Sequence, residues 1–322
     1  MQKAEGGIRS AITWGVLCAL IGLGISCRIG ETTVNRNAQA EPSGSKRVVT
    51  DDLGRSVTIP AEVKRVVSLA PSVTESVFAI GAGDKLVGDT TYCNYPEQAK
   101  AIAKVGDTMN PNMETIVALK PDIVLVSTAS QIEAFTKTLD QNGIAVYVTD
   151  PKSLKDVVRN LKQLGGVLGT KDQSDQAADG LQKRIDDVYA KLFYSGKEWN
   201  SDHVPVKTFV QISREPLFTI GSSSFLTDFL QYANGTSVTD DVETAYPKLS
   251  KERAVALQPD AIILSDSPDN QSPNEVFKNS PAVKNGRVYK INADIISRPG
   301  PRLVDAYEQV ARDLHPEKFN GQ

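Results

Sequence analysis

The feature that most constrains this chain is a short segment that it carries twice. Asn112 to Ser127 reads NMETIVALKPDIVLVS, and Ser250 to Ser265 reads SKERAVALQPDAIILS. Aligned without a gap, the identical pairs are Glu114/Glu252, Val117/Val255, Ala118/Ala256, Leu119/Leu257, Pro121/Pro259, Asp122/Asp260 and Ser127/Ser265. Asn112 and Ser250 suit an N-cap, where a side-chain oxygen accepts from a free amide of the first helical turn. Glu114 and Glu252 then fall in that turn, where a carboxylate favours the helix dipole by about 0.3–1 kcal/mol. Pro121 and Pro259 end the helices, because proline disfavours helical backbone in the residue before it. The apolar run that follows in each copy has the pattern of a strand buried on both faces. Each half is therefore predicted to hold a short helix feeding a buried strand, with one carboxylate at the exposed start of the helix. The dipole accounts for either glutamate alone but not for its presence in both halves.

Around the two copies the pattern is that of an α/β protein. In the first half, RVVTDDLGRSVTIP offers two short strands around Asp51, Asp52 and Gly54. RVVSLA, KLVGDT, PDIVLVS and GIAVYVTD read as further strands. PSVTESVFAIGAG reads as a helix ending near Gly81, with Ser72 and Glu75 at capping-box spacing, and QIEAFTKTLDQNG as a helix stopped at Gly143. The second half repeats the alternation, with strands TFVQIS, AIILS and RVYKI and helices FLTDFLQYA and LVDAYEQVARDL. Between the halves, Ala178, Leu181, Ile185, Val188 and Leu192 form one apolar stripe along a helix of about five turns. The expected fold is two α/β lobes with mainly parallel sheets joined by one long rigid helix. The expected boundaries are 46–168 for the first lobe, 169–199 for the connecting helix and 200–322 for the second lobe.

The N-terminus reads differently. Lys3 and Arg9 precede the apolar run AITWGVLCALIGLGIS, which ends at Cys27. A basic start, an apolar stretch and small residues at its end describe a secretory signal over residues 1–27; a retained anchor is the alternative, since a membrane span needs about 20 apolar residues. GIS before Cys27 resembles a bacterial lipobox, with Gly24 where a leucine is usual, so Cys27 is the expected lipidation site, an ordinary signal cut nearby being the other reading. Residues 28–45, polar and without periodicity, are the expected flexible tether. Cys93 is then left as a free thiol, with no disulfide framework.

Several function classes are poorly served by this sequence. The net charge of −3 argues against a nucleic-acid partner. No nucleophile elbow, phosphate-cradling loop, dinucleotide fingerprint or zinc-protease motif occurs, so no catalytic residue is assigned and the protein is expected not to be an enzyme. His203 and His315 are the only histidines, which makes a protein-ligated metal an unsupported reading. The remaining aromatic and polar clusters suggest a binding cleft. Tyr92 and Tyr95 follow the strand KLVGDT, Phe218 follows TFVQIS, and Tyr246 precedes the second copy of the repeat. Asp294, Arg298 and Arg302 follow RVYKI. Loops after the strands of an α/β sheet are where ligands usually meet it.

At this point the chain resembles a known family, the cobalamin and iron-chelate substrate-binding proteins that feed ABC importers. RVVSLAPSVTESVFAIGAGDKLVG, YCNYPEQAK, VGDTMNPNMETIVALKPDIVLVS and SRPGPRLVDA carry the resemblance, which covers residues 46 to 318. It implies two lobes clamping a ligand across a helical spine, with Tyr92, Tyr95, Phe218, Tyr246, Asp294 and Arg298 as ligand-binding positions. It also implies that Glu114 and Glu252 dock on the two-fold permease dimer of the importer, and that the protein is an exported, lipid-anchored monomer. Cobalamin is the ligand implied first, and haem or a ferric siderophore second; a protein-binding adaptor or sensor subunit is a reading of another class. The chain departs from the cobalamin branch in its scarcity of tryptophan, with Trp199 alone past the leader, and in Thr108 and Ser127, which stand where large aromatics can occur.

Overall fold

Four apolar runs of the first half, RVVSLA, KLVGDT, PDIVLVS and GIAVYVTD, become strands of one parallel sheet. The structure is a computed structural model and describes residues 45–128, 132–195, 198–199 and 203–319. The leader reading for residues 1–27, including Cys27, and the tether up to Gly44 lie outside the described residues. The antiparallel pair β1 (Lys46–Thr50) and β2 (Ser56–Pro60) comes first. Its turn is held by the Asp51 carboxylate, which accepts from the amides of Leu53 and Arg55 at 3.1 and 2.9 Å. Then follow β3 (Val66–Ser68), α1 (Pro71–Ala79), β4 (Leu86–Asp89), α2 (Met113–Ala118), β5 (Ile123–Ser127), α3 (Ile132–Gln141) and β6 (Ala145–Thr149). The helices α4 (Leu154–Leu168) and α5 (Lys171–Phe193) cross to the second half, where β7 (Tyr194–Ser195) pairs with β8 (Glu198–Trp199). The second lobe contains β9 (Val206–Gln211), α6 (Phe225–Tyr232), β10 (Gly235–Ser237), α7 (Lys251–Leu257), β11 (Ala261–Asp266), α8 (Pro281–Lys284), β12 (Val288–Asn292), α9 (Ala293–Ile296) and α10 (Leu303–Leu314).

The two lobes share one topology. The first sheet has the order β4-β3-β5-β6 and the second β10-β9-β11-β12, with every pairing parallel. Each therefore runs second, first, third, fourth in its own chain order, and the repeated segment supplies the third strand of each. The likeness extends to the backbone. Asn112 accepts from the Thr115 amide at 3.0 Å and Ser250 from the Arg253 amide at 3.2 Å. At matching places Lys120 (φ +47°) and Gln258 (φ +42°) adopt the left-handed conformation that side-chain-bearing residues rarely take. The amides of Asp122 and Asp260 then each donate at 2.8 Å to the strand next to them, at Arg65 and Lys207.

Three local expectations are corrected. Ser72 and Glu75 do not form a capping box: α1 starts at Pro71 after Ala70, which has no side-chain cap, and Glu75 is turned inward. Proline's fixed φ and missing amide suit the first helical position, so the helix starts ahead of Ser72. The connecting helix is confined to Lys171–Phe193 and is preceded by α4, whose Gly165 and Gly166 do not break it. There glycine lets two helices touch, because a Cβ on Gly165 would stand 1.9 Å from Ser174 Oγ on α5. The three-residue strand β10 also lies where no strand was expected.

Of the stripe on α5, Ala178, Ile185, Val188 and Leu192 are buried and Leu181 is half-buried. They belong to one apolar core that runs from Val66, Val77 and Leu125 of the first lobe, through Leu161 and Leu164 of α4, to Phe229, Tyr307 and Val310 of the second. Each sheet's other face has its own smaller core. The described residues, from Ser45 to Phe319, hold together as one compact unit.

Candidate functional site

In each sheet the strand order reverses between its first and third strands, and ligands of open parallel sheets bind beyond the carboxyl ends at that point. A cleft of about 460 Å³ lies beyond the carboxyl ends, after β5 and β6 of the first lobe and after β9 and along β11 of the second, with walls from both lobes. The first lobe contributes Ser127, Thr128, Asp150 and Lys152; the second contributes Ile212, Ser224, Phe225, Tyr246, Ser265 and Ser297. Ser127 and Ser265 close the two copies of the repeat, so the same device places one serine in each wall. Charge is balanced locally, because Lys152 pairs with Asp150 at 2.8 Å and the Thr128 hydroxyl also donates to Asp150. The result is a hydroxyl-rich lining interrupted by apolar Ile212, Phe225 and Pro299, suited to a ligand with a flat apolar body and polar side groups.

The six candidate ligand positions fall into two groups. Tyr246 lines the cleft directly. It is 41% exposed, yet burial of its hydroxyl end raises the phenol's pKa, an effect that Ser224 partly offsets. Phe218, half-buried, lies on the adjoining strand-like segment: it bridges Ser213 and Lys248, and Thr219 donates to the Pro247 carbonyl at 3.1 Å. Tyr92, Tyr95, Asp294 and Arg298 gather beside the cleft wall formed by Ser297 and Pro299, where the loop after β4 in the first lobe meets α9 and the following loop in the second. Arg298 donates to Asp294 at 2.6 Å, to Asn94 at 2.9 Å, to Glu75 at 3.0 Å and to the Tyr92 carbonyl at 3.4 Å. The Asn94 amide donates to Asp294 at 2.8 Å. Tyr92 and Tyr95 present 59% and 47% of their surface to solvent, and the Arg302 guanidinium lies 4.2 Å from the centre of the Tyr95 ring.

Beneath that loop is a buried polar cluster. Asp89, at the end of β4, has no exposed surface; Lys104 donates to its Oδ1 at 2.7 Å, and its Oδ2 has no hydrogen-bond partner among the described residues. Burial pushes the Asp89 carboxyl up to about 6, with Lys104 as the main opposing influence. The Cys93 thiol, free and buried, sits 3.2 Å from the hydroxyls of both Thr74 and Thr90, and burial pushes its pKa up as well. His315 is likewise turned inward, against the Asn234 carbonyl at 3.0 Å, and burial lowers its pKa.

Glu114 and Glu252 are both exposed. Hydrogen bonds fix where their helices begin. Asn112 donates to Val105, which itself donates to Asp89 at the carboxyl end of β4. Leu249 donates to Leu217, in the loop that follows β9. The helix starts bearing the two glutamates thus lie at the carboxyl edges of their sheets, the edges that also carry the cleft. The Glu252 carboxyl is held below its ordinary range by its own backbone amide and the Ser250 hydroxyl.

Sequence reasoning gave no binding role to Glu75 or Asn94, and Arg302 entered only as a neighbour of Arg298. Local spacing carries no sign of these contacts, because their partners lie in the other half of the chain.

Residues 66–295 match the model of the periplasmic binding protein family. An uncharacterized ABC transporter substrate-binding lipoprotein of Bacillus subtilis, YvrC, is 32% identical over 277 residues, covering 84% of this chain and 86% of that one. A vitamin B12-binding protein of Vibrio vulnificus is 32% identical over 252 residues, covering 78% and 89%. Among solved structures, the periplasmic vitamin B12 binding protein BtuF of Vibrio cholerae superposes with a TM-score of 0.68 at 28% identity, covering 80% of this chain and 98% of that one. With two like lobes, a cleft between their carboxyl edges and these relatives, the chain belongs to the periplasmic binding protein family, whose members bind solutes rather than catalyse reactions.

Proposed function

We propose that this protein captures cobalamin between its lobes outside the cytoplasmic membrane and presents it to the permease dimer of an ABC importer. The observation that carries the reading is the shared cleft: Tyr246 and paired serines line it, and its charges are already matched within the protein. Such a lining suits a ligand with a broad flat body and neutral side groups better than one bearing free carboxylates. The names of the B12-binding relatives support the same ligand. In this reading Tyr92, Tyr95 and Phe218 extend the aromatic surface at the mouth of the cleft. Cys27 carries a lipid anchor, consistent with the lipoprotein relative, and the protein works as a monomer.

Glu114 and Glu252 provide the docking charges. A protein built from two like lobes meets a two-fold partner with the same charge on each side, which the dipole role alone does not require.

Calorimetric titration with cyanocobalamin, haemin and ferric siderophores tests the ligand. Tight binding of cyanocobalamin alone is expected, and replacing Tyr246 by alanine should weaken it by at least about 1 kcal/mol. Binding of haemin or a siderophore instead would reassign the ligand, and binding of none would end the small-chelate reading. The anchor is tested by fractionation: a Cys27→Ser protein should leave the membrane fraction.

A further inference from the structure

Glu75 is a carboxylate of the first lobe whose side chain is 2% exposed, and among the described residues the three hydrogen bonds its carboxylate accepts all come from the second lobe. Arg302 donates to it through Nε at 2.9 Å and Nη2 at 2.5 Å, and Arg298 through Nη1 at 3.0 Å. The side chains of Arg298 and Arg302 are 12% and 16% exposed, so little water competes. Between them Gly300 lies directly on α1: a Cβ there would stand 3.2 Å from the Ser72 carbonyl oxygen and 3.3 Å from its Cα. A buried ionic cluster is not in itself a source of stability, since apolar packing of similar volume often does as well. What it supplies here is direction. Arg298, held by Glu75, uses its remaining donors on Asn94, Asp294 and the Tyr92 carbonyl, and Arg302, held by Glu75, lies flat over Tyr95.

We infer that Glu75 is a positioning residue: it fixes two arginines of the opposite lobe and, through them, the loop that carries Tyr92 and Tyr95 into the binding site. Arg298 then acts less as a contact to ligand than as the tie between the two lobes at that loop, because both its Nη nitrogens are engaged by protein groups. The neutral isostere Glu75→Gln keeps the shape but presents one acceptor oxygen and no charge, so neither arginine retains its geometry. The effect on affinity rests on the cobalamin reading; the effect on the loop does not.

The test uses the full chain. Hydrogen exchange of residues 90–96 is measured in wild type and Glu75→Gln without ligand, together with affinity and dissociation rate for cyanocobalamin. Exchange across 90–96 is expected to quicken by about tenfold or more while the amides of β5 and β11 stay protected, as expected for local opening. Affinity is expected to fall by about tenfold, chiefly through faster dissociation. Adding Tyr92→Ala to Glu75→Gln should cost less than the two changes made separately, since both act on one loop. Should Glu75→Gln fail to fold, Arg302→Lys replaces it: it keeps the charge but loses the fork and the flat face, and the same changes are expected. Wild-type exchange across 90–96 in a folded variant overturns the inference, even if the melting temperature has dropped. If wild type does not bind cyanocobalamin, the ligand reading falls and the exchange comparison alone decides the role of Glu75.

Discussion

Asp89 shows how a single side chain couples the loop behind the site to pH. Its carboxyl lies near 6 instead of the usual 3.8 because burial disfavours the charged form. A carboxyl raised in the fold contributes stability that is fully present below about pH 4 and is lost as pH rises through about 6. Asp89→Asn has no such titration. The melting temperatures of wild type and variant, compared from pH 4 to 7, should therefore shift in favour of the variant as pH rises across that window. A constant difference would show that Lys104 keeps Asp89 ionised throughout. At this scale the sequence was only partly legible. Tyr92, Tyr95, Asp294 and Arg298 could be picked out as loop residues following strands, and the structure brings them into one cluster. Glu75 was misread as part of a cap because its nearest plausible role lay three residues away, whereas its partners lie more than two hundred residues on.

Among the elements, the repeated helix and strand were the most legible, since cap, acid, proline and apolar run each leave a local mark. Its two exposed glutamates carry a separable prediction. Glu114→Arg combined with Glu252→Arg should cost at most about 1 kcal/mol of stability per site, the upper range for an exposed first-turn carboxylate. It should leave ligand affinity intact and abolish uptake through the importer, because opposed charges fix orientation and partner choice in docking. Undiminished uptake would return both glutamates to a helix-end role. The element least legible was α4. Its apolar residues Leu154, Val157, Leu161, Leu164 and Leu168 follow helical spacing, yet no element of its own is expected over this stretch of the 46–168 lobe. The glycine at 165 is a contact point, so Gly165→Ala must push α4 away from Ser174 on α5. A loss of about 1–3 kcal/mol in denaturant unfolding is expected, the usual range for overpacking. Gly166→Ala, with open space at its Cβ position, serves as the control and should be neutral or mildly stabilising.

For the molecule as a whole, the two-lobed plan was readable because each lobe repeats the alternation of strand and helix and one apolar stripe bridges them. The dimensions of the cleft were not readable, since they depend on how α1 and the 298–302 loop meet across the lobes. The apolar core that crosses α4 and α5 has a consequence for ancestry and engineering. Matching strand orders and matching helix ends have the form of a doubled half-sized unit, but that half could not now live alone. A chain cut after Gly169 would leave the apolar sides of α4 and α5 without each other, and a large exposed patch of that kind invites association. Heating the intact protein should accordingly give one calorimetric transition, with equal van't Hoff and calorimetric enthalpies. Two separately expressed halves should be insoluble apart and should recover a fold only when mixed.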